Sequence, residues 1–472
     1  MDKNKFYITT AIPYPNGKPH LGFGLETVIA DVLAQYHRLL GNSVHFLTGT
    51  DEHGLKVFQA AQKAGVDFQR YVDKNSPEFA KLKGVLNVSY DQFIRTTDKN
   101  IHWPGVVKIW EECQKEGKIY KKSYTGLYCI GCEEFKKEKE LENGLCPDHK
   151  VPPEKVEEEN YFFRLKDYVS EIKQLITSDQ FHIEPESKRN EVLSMLENGT
   201  EDFSISRPRK RISWGIPVPG DDSQTIYVWF DALVNYISAI GYGKNEQEFT
   251  KWWPADVQVI GKGVSRFHAI YWPAMLLAAN LPLPQTLLIH GYVTIGGEKI
   301  SKSLGNVISP EDVVSKYSSA DALRYFLLRY IPTTGDGDFS FEEFERVYNA
   351  DLANGLGNLA ARVAKLAEKN NINIEDHSNH FSPNVEKLIR DFHFNDALAI
   401  IWSQISEADK KINEEKPWEL KGEKAQEILL DLVSMIQQIA FDLQPFLPET
   451  AEKILKQFSG EIKSAALLFP RI

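Results

Sequence analysis

The pattern of hydrophobic and polar positions near the N-terminus alternates between strand and helix. Residues 6–10 form a β-branched and aromatic run, and the prolines and the glycine at positions 13, 15, 17 and 19 then enforce a loop. Residues 21–40 repeat apolar side chains with helical spacing, which predicts an amphipathic helix closed by Gly41. Residues 44–47 predict a second buried strand. This order predicts a parallel, doubly wound α/β sheet, whose ligands bind beyond the carboxyl ends of its strands.

The pattern changes twice further along the chain. Between residues 121 and 159 the sequence breaks into short, highly charged pieces, which indicates an insertion. Strand-like segments return at 226–230, 257–260 and 286–289, with a helical stretch at 267–279. Beyond Phe344 helical periodicity occurs at 347–369, 385–412, 425–443 and 448–458, which predicts a separate α-helical bundle.

Length and composition restrict the class of protein. A chain of 472 residues is long enough for two or three structural units, and 42% hydrophobic and 26% charged residues are typical of globular proteins. The sequence has no run of about 18 apolar residues and no signal-like N-terminus, so we expect a cytoplasmic protein without a membrane partner. The net charge of −11 argues against a protein that coats nucleic acid through its overall field, but it allows local basic surfaces.

Three of the four cysteines form a cluster with one histidine. Cys129 and Cys132 are separated by two residues, as are Cys146 and His149, and 13 residues lie between the two pairs. This spacing predicts one structural zinc ion per chain, because four protein ligands leave no open coordination position. Separate reduced thiols are the alternative. Cys113 lies outside the cluster on a predicted amphipathic helix, where we expect a buried, inert thiol.

Two segments have the composition of phosphate-binding sites. His20 and Gly22 lie where the first loop enters its helix, so backbone N–H groups and the helix dipole favour an anion there. Residues 297–306 place Lys299 and Lys302 among serines and glycines in a loop that could close over a polyphosphate. The alternatives are a helix-entry histidine and a solvated basic loop. Neither a Walker-type loop nor a dinucleotide-binding glycine fingerprint occurs in the sequence.

Together these two segments resemble the His-Ile-Gly-His and Lys-Met-Ser-Lys-Ser signatures of class I aminoacyl-tRNA synthetases. Within that class the chain resembles the methionyl-tRNA synthetases, in one collinear order from about residue 5 to its end. The segments that carry this resemblance are IPYPNG at 12–17, TGTDEHG at 48–54, ENYFF at 159–163, YVWFDAL at 227–233 and FHAIYWP at 267–273.

The resemblance implies a fold of class α/β, in which a split Rossmann catalytic domain with a zinc-knuckle connective insertion precedes an all-α anticodon-binding bundle. The implied segments are 1–115 for the first Rossmann half, 116–222 for the insertion with the zinc knuckle, 223–290 for the second Rossmann half, 291–343 for a stem-contact segment with the Lys-Ile-Ser-Lys-Ser loop, and 344–472 for the anticodon-binding domain.

The activity that the resemblance implies is that of a methionine–tRNA ligase. Such an enzyme uses ATP with Mg²⁺ to convert L-methionine to methionyl-adenylate, and then charges initiator and elongator methionine tRNA. The implied catalytic residues are His20, Lys299 and Lys302. The implied ATP-binding residues are Asn16, His20, Gly22, Glu26, Gly261 and Lys302.

The resemblance also implies a methionine pocket and an anticodon-reading surface. The implied pocket residues are Ile12, Tyr14, Asp51, Trp229, Ala232, Leu233, Tyr236, Val264 and His268, with Asp51 binding the ammonium group. Any one aromatic residue of this wall could instead belong only to the core. The implied anticodon residues are Asn358, Arg362 and Trp418, whose side chains suit hydrogen bonding and stacking on bases, although capping or packing roles are alternatives. The basic residues 207–211 match no family signature and are either a tRNA-acceptor or substrate-side surface or a solvated turn.

Three positions depart from the family pattern. Phe23 replaces the second histidine of the first signature, Gly263 replaces an acidic residue that is thought to meet the ribose, and Ile300 conservatively replaces methionine. Phe23 cannot donate a hydrogen bond to a phosphate, so either activation is intrinsically slower or another donor, Asn16 or Lys18 of the same loop, takes its place. We expect compensation, because His20, Lys299 and Lys302 are retained.

Two rival functions follow from the same sequence. A leucine or isoleucine enzyme of this class would normally carry a large editing insertion, for which the insertion leaves little room. A catalytically weakened tRNA-binding paralogue would explain Phe23 and Gly263, but it has no need for Asp51, Lys299 and Lys302. Longer relatives continue into an appended dimerisation domain where this sequence ends, so we expect a monomer.

Overall fold

The computed structural model describes residues 4–131, 134–147, 150–300, 305–374 and 380–472. These residues form two compact units. The first unit contains residues up to Pro19, Asn42–Lys81 and Tyr90–Ile289, and the second contains His20–Gly41, Leu82–Ser89 and His290–Ile472. The five segments implied by the sequence divide the chain differently and stay a prediction.

The first unit is built on a six-stranded sheet. In spatial order its strands are Gln92–Arg95, Ser43–Thr50, Lys5–Thr10, Val257–Gly261, Thr286–His290 and His182–Glu184. Lys5–Thr10 runs parallel to both of its neighbours, with Ile8 opposite both Phe46 and Val257, and the outermost pair at each end of the sheet is also parallel. The strand order reverses direction between Lys5–Thr10 and Val257–Gly261, which is the position where open α/β sheets bind ligands. The predicted parallel α/β sheet is confirmed.

The inserted chain forms two smaller antiparallel sheets in the same unit. One contains, in spatial order, Glu134–Lys136, Ile119–Cys129, Glu154–Phe163 and Phe203–Ser204. The other contains Pro217–Val218, Asp221–Ile226 and Ser206–Pro208. The α-helices of this unit are Leu55–Ala64, Phe68–Ala80, His102–Lys115, Val169–Thr177, Glu186–Glu197, Val228–Ala232, Asn235–Ser238, Glu246–Trp252 and Trp272–Ala278.

The second unit is mainly helical. Its α-helices are Leu21–Leu39, Leu82–Val85, Pro310–Tyr317, Ala320–Arg329, Phe341–Val347, Asn358–Lys369, Pro383–Arg390, Phe394–Glu415, Glu423–Leu443 and Pro448–Gln457, and Tyr348–Gly357 is π-helical. Small sheets join Val293–Ile295 to Glu298–Lys299 and Gly337–Asp338, and Asn373–Ile374 to Gly460–Glu461. The predicted helical C-terminal region is confirmed. Among the described residues, no helix combines the length and the apolar character that a membrane span requires.

The structure corrects two predicted elements. The strand expected at 226–230 ends at Ile226, and Val228–Ala232 is a helix with Phe230 and Asp231 fully buried. Burial on several sides outweighs the local β propensity of this segment. The single helix expected at 385–412 is two helices, because Phe392 adopts a left-handed φ of 61° between them. Cys113 is buried on the helix His102–Lys115, and burial raises the pKa of its thiol, as expected of an inert cysteine.

Candidate active site

Two loops at the carboxyl edge of the parallel sheet approach each other in the first unit. The loop after the strand Lys5–Thr10 carries Ile12 and Tyr14, and the loop after Ser43–Thr50 begins with Asp51. The backbone N–H of Asp51 donates to the carbonyl of Pro13 at 3.1 Å. The Asp51 side chain is 4% exposed, and its Oδ1 accepts the backbone N–H of His53 at 3.2 Å. The edge of the sheet thus presents an oriented carboxylate, which suits a ligand cation.

An aromatic wall lies in the same unit. Trp229 stacks on Phe267 with ring centroids 3.7 Å apart and planes 3° apart, and it meets His268 edge to face. Leu233 and Tyr236 belong to the buried core, and Ile12, Trp229 and Val264 are half-buried side chains packed against that core. Ala232, on the same short helix as Trp229, is buried. Tyr14 is half-buried, with the Lys56 ammonium 5.5 Å from its ring centroid.

His268 is held neutral within this wall. Tyr236 Oη lies 2.7 Å from its Nε2, and its Nδ1 lies 3.0 Å from the carbonyl oxygen of Val264. Because a carbonyl only accepts, Nδ1 carries the proton and Nε2 accepts from Tyr236. Burial lowers the pKa of His268 to about 4, although the hydrogen bond to Val264 acts in the opposite direction. The wall is therefore uncharged near neutral pH and suits an apolar, polarizable group.

Sequence reasoning missed Phe267 and a buried cluster of two histidines and one aspartate. Asp231 is fully buried, with Oδ2 2.5 Å from His53 Nδ1 and Oδ1 2.6 Å from His102 Nε2. Burial tends to raise the pKa of Asp231, but attraction to His53 and hydrogen bonds from both histidines outweigh it, so the pKa is lowered. The only signal in the sequence was that His53 and Asp231 fall within two of the segments that carry the resemblance.

Glu52, another residue that sequence reasoning missed, holds the loop around Asp51 in place through hydrogen bonds of its side chain. Its buried carboxylate lies 2.5 Å from Arg95 Nε, 3.1 Å from Thr50 Oγ1, and within hydrogen-bonding distance of Ser76 and Thr97. Because each carboxylate oxygen has a partner, the backbone between Asp51 and His53 is fixed in place.

The candidate phosphate-binding histidine lies in the second unit. His20 caps the helix Leu21–Leu39, with its Nδ1 accepting the backbone N–H of Phe23 at 3.3 Å. A Cβ on Gly22 would lie 3.0 Å from the imidazole, so glycine leaves room for this ring position. Glu26 is buried on the same helix, with Oε2 3.1 Å from His290 Nε2. The helix-entry role that was the alternative for His20 therefore occurs, and it leaves the imidazole proton on Nε2.

The remaining ATP-related positions are described less completely. Asn16 is half-buried in the loop of the first unit, and Gly261 ends the strand Val257–Gly261. Lys302 and the side chain of Lys299 lie outside the described residues. The hairpin that leads to this loop is clamped by Asp338, which accepts the N–H groups of Gly296 and Gly297 at 3.2 and 2.8 Å.

The four predicted zinc ligands are only partly described. Cys129 and Cys146 are buried in the insertion, whereas Cys132 and His149 lie outside the described residues. Within the described ranges, no group of three or more metal-binding side chains occurs.

The predicted anticodon residues occupy the helical unit. Asn358 is exposed at the start of the helix Asn358–Lys369, and Trp418 is 44% exposed in the turn Pro417–Glu419. Arg362 is oriented by Asp409 and Asn413, each 2.7 Å from its guanidinium.

The basic stretch 207–211 does not form a continuous exposed surface. Arg207 is buried, with its guanidinium 4.3 Å from the ring centroid of Tyr227, and Arg211 pairs with Glu154 and Glu158. Arg209 and Lys210 are exposed in a turn, so the choice between a tRNA-facing surface and a solvated turn stays open for them.

Comparison with known proteins points to one family. The family model "tRNA synthetases class I (M)" matches residues 6–155 and 136–364. The methionine–tRNA ligase of Thermotoga maritima is 41% identical over 97% of this chain and 76% of its own length, and that of Brucella suis is 41% identical over 96% and 92%. The structure of Mycobacterium tuberculosis methionyl-tRNA synthetase in complex with methionyl-adenylate matches with a TM-score of 0.91 at 35% identity, over 99% of this chain and 100% of that one.

Proposed function

The chain belongs to the methionyl-tRNA synthetases of class I, and on this premise we propose that it activates L-methionine with ATP and transfers the methionyl group to methionine tRNA, both initiator and elongator. The observation that carries the proposal is the uncharged aromatic wall of Trp229, Tyr236 and His268, in the same unit as the buried carboxylate of Asp51. An apolar wall and a carboxylate match the thioether and the ammonium of methionine.

The first step forms methionyl-adenylate. A carboxylate oxygen of methionine attacks the α-phosphorus of ATP, the bond to the β-phosphate oxygen breaks, and pyrophosphate leaves with Mg²⁺. Such a reaction needs positioning and charge stabilisation more than covalent help from side chains. His20 supplies a donor through Nε2–H, because its Nδ1 is occupied by the helix cap. In this proposal Lys299 and Lys302 supply positive charge for the leaving group, and the family resemblance assigns further nucleotide contacts to Asn16 and Gly261 of the first unit and to Gly22 and Glu26 of the second.

The second step moves the methionyl group to tRNA. A hydroxyl of the terminal ribose attacks the carbonyl carbon of the adenylate, and AMP leaves. The anticodon is read by Asn358, Arg362 and Trp418 in the helical unit. The exposure of Trp418 supports this role, because an indole at the surface can stack on an unstacked base.

Amino-acid-dependent ATP–pyrophosphate exchange tests the proposed activity. We expect exchange with methionine and none with leucine or isoleucine. Exchange with leucine or isoleucine would favour another specificity, and exchange with no amino acid would favour the catalytically weakened tRNA-binding paralogue. Asp51→Asn should raise KM for methionine, whereas Asp67→Asn, a change at an exposed helix cap in the same unit, should not.

Trp418→Ala tests anticodon reading. Aminoacylation of tRNA should fall strongly while methionine-dependent exchange stays unchanged, because the side chain is exposed and outside the core. Equal losses in both assays would instead identify Trp418 as a folding residue.

A structural zinc ion held by Cys129, Cys132, Cys146 and His149 is a second part of the proposal. Its support is the ligand spacing together with the burial of Cys129 and Cys146 in the insertion. Three thiolates and one imidazole complete a tetrahedral shell, so the ion would order the insertion and take no part in the reaction. Metal analysis should give about one zinc per chain. Cys132→Ser should reduce this content, and Cys113→Ser should not.

A cytoplasmic location and a monomeric state are also proposed. Reduced zinc-binding thiols suit a reducing compartment. Light scattering should give the mass of one chain.

A further inference from the structure

The buried contact between His53 and Asp231 joins the two ends of the proposed methionine pocket. His53 follows Asp51 by two residues, and its backbone N–H already binds the Asp51 carboxylate at 3.2 Å. Asp231 follows Trp229 by two residues on the helix Val228–Ala232. The 2.5 Å contact from His53 Nδ1 to Asp231 Oδ2 therefore connects the loop that binds the ammonium to the helix that carries the side-chain wall.

A second contact fixes Asp231 itself. Its other carboxylate oxygen lies 2.6 Å from His102 Nε2, and His102 Nδ1 lies 2.9 Å from Ser238 Oγ. The helix His102–Lys115 approaches Ser238 so closely that a Cβ on Gly105 would lie 2.7 Å from the Ser238 Cβ. This contact leaves no room for the short helices of the wall to shift toward His102.

Ser238, His102 and Asp231 share the residue types of a nucleophilic triad, but their burial excludes that role. All three side chains are at most 2% exposed, so no substrate can reach the Ser238 hydroxyl. The cluster is a support for the site rather than a second reaction centre.

From this geometry we propose that Asp231 and His53 are positioning residues that set the spacing between Asp51 and the Trp229 wall, and thereby the affinity for methionine and the side-chain length that the pocket accepts. The inference rests on the proposed function. Neither side chain needs to touch the substrate, because each acts through a neighbour two residues away. Loss of the contact between His53 and Asp231 should lower the affinity for methionine and the selectivity for side-chain length. It should leave nucleotide binding intact.

Asp231→Asn tests this spacing role, because the amide keeps the shape but cannot accept hydrogen bonds from both histidines. KM for methionine in pyrophosphate exchange should rise about tenfold, the scale of misfitting one methylene, and KM for ATP should stay within about twofold. The preference for methionine over ethionine, measured as a ratio of kcat/KM values, should fall. His53→Phe, which keeps a ring but removes the donor, should show the same split between substrates.

Tyr242→Phe is the matched control, because it removes one buried hydrogen bond to Glu112 elsewhere in the same unit. It should lower Tm slightly and leave both KM values unchanged. If Asp231→Asn does not fold, His53→Phe decides the question. Unchanged KM for methionine, or equal changes in both KM values that track Tm, would overturn the spacing role. Absence of exchange in the unmodified protein would refute the proposed function instead.

Discussion

The neutral His268 in the pocket wall makes stability depend on pH in a way that can be measured. Its imidazole is 1% exposed, accepts a hydrogen bond from Tyr236 and donates one to Val264. Burial lowers its pKa to about 4, against the weaker opposing effect of the Val264 carbonyl. Burial disfavours the charged form, because an imidazolium loses its hydration in the protein interior.

The sign and size of this pH dependence follow from the difference between the pKa of His268 in the folded chain and in the unfolded chain. An unfolded chain binds a proton at this histidine below about pH 6.5, whereas the folded chain does so only below about pH 4. The contribution of neutral His268 to the free energy of unfolding is therefore fully present above pH 6.5. It is lost as the pH falls from 6.5 toward 4, and below pH 4 it changes no further. The full difference corresponds to about 3 kcal/mol, of which about 2 kcal/mol is lost between pH 7 and pH 4.5.

His268→Gln isolates this contribution, because the amide can accept from Tyr236 and donate to Val264 without titrating. Urea denaturation followed by tryptophan fluorescence gives the free energy of unfolding of both proteins at pH 7 and pH 4.5. The original protein should lose about 2 kcal/mol more than the variant over this interval, since all other titrating groups are shared. Equal losses would show that His268 titrates alike in the folded and unfolded chains, and would refute the reasoning.

Three further changes test the second unit. Gly22→Ala should push the imidazole of His20 out of its capping position and lower kcat of pyrophosphate exchange about tenfold, the scale of one charge-assisted hydrogen bond, with KM for methionine unchanged. Arg324→Met should lower the free energy of unfolding in urea by about 3–5 kcal/mol, because it leaves the buried carboxylate of Asp31 without its cation. Phe23→His should leave kcat of exchange unchanged or lower it, because the side chain is buried, and a gain of about tenfold would show that the position lacks a donor.

Local sequence patterns predicted helices and strands correctly where the apolar residues follow one clear repeat, helical or strand-like. The apolar spacing from residue 21 onward predicted the helix Leu21–Leu39, and short β-branched runs predicted Lys5–Thr10 and Val257–Gly261. The order of strand, helix and strand then predicted the parallel sheet, because crossover connections have one preferred hand. Each of these inferences uses only neighbours in sequence.

Contacts between distant residues could not be predicted in this way. His53 and Asp231 are 178 positions apart, and Asp31 and Arg324 are 293 apart. No periodicity relates such pairs, and a charged residue in a helical pattern is ordinarily assigned to the solvated face. Asp31 is instead fully buried, because it pairs with Arg324.

The segment around Trp229 shows how burial changes a local preference. Residues 226–230 have the composition of a strand, yet Val228–Ala232 is helical. In this helix the Asp231 carboxylate accepts hydrogen bonds from two histidines, His53 and His102. Phe230 packs edge to face on Trp110. The same turn places Trp229 against Phe267 in the pocket wall. The segment that was wrongly predicted as a strand therefore carries Trp229, a residue of the pocket wall.

A substitution in the helical unit can affect both methionine activation and tRNA charging, or charging alone. The contacts of the buried pair of Asp31 and Arg324 show where the first kind of effect is expected. Arg324 also donates to the carbonyls of Pro445 and Phe446, between the last two long helices, at 2.9 and 2.7 Å. One guanidinium thus joins the helix that begins after His20 to the core of the bundle. A substitution that disturbs this core should impair methionine activation as well as tRNA charging. Trp418 is exposed in a separate turn, so its loss should affect charging alone.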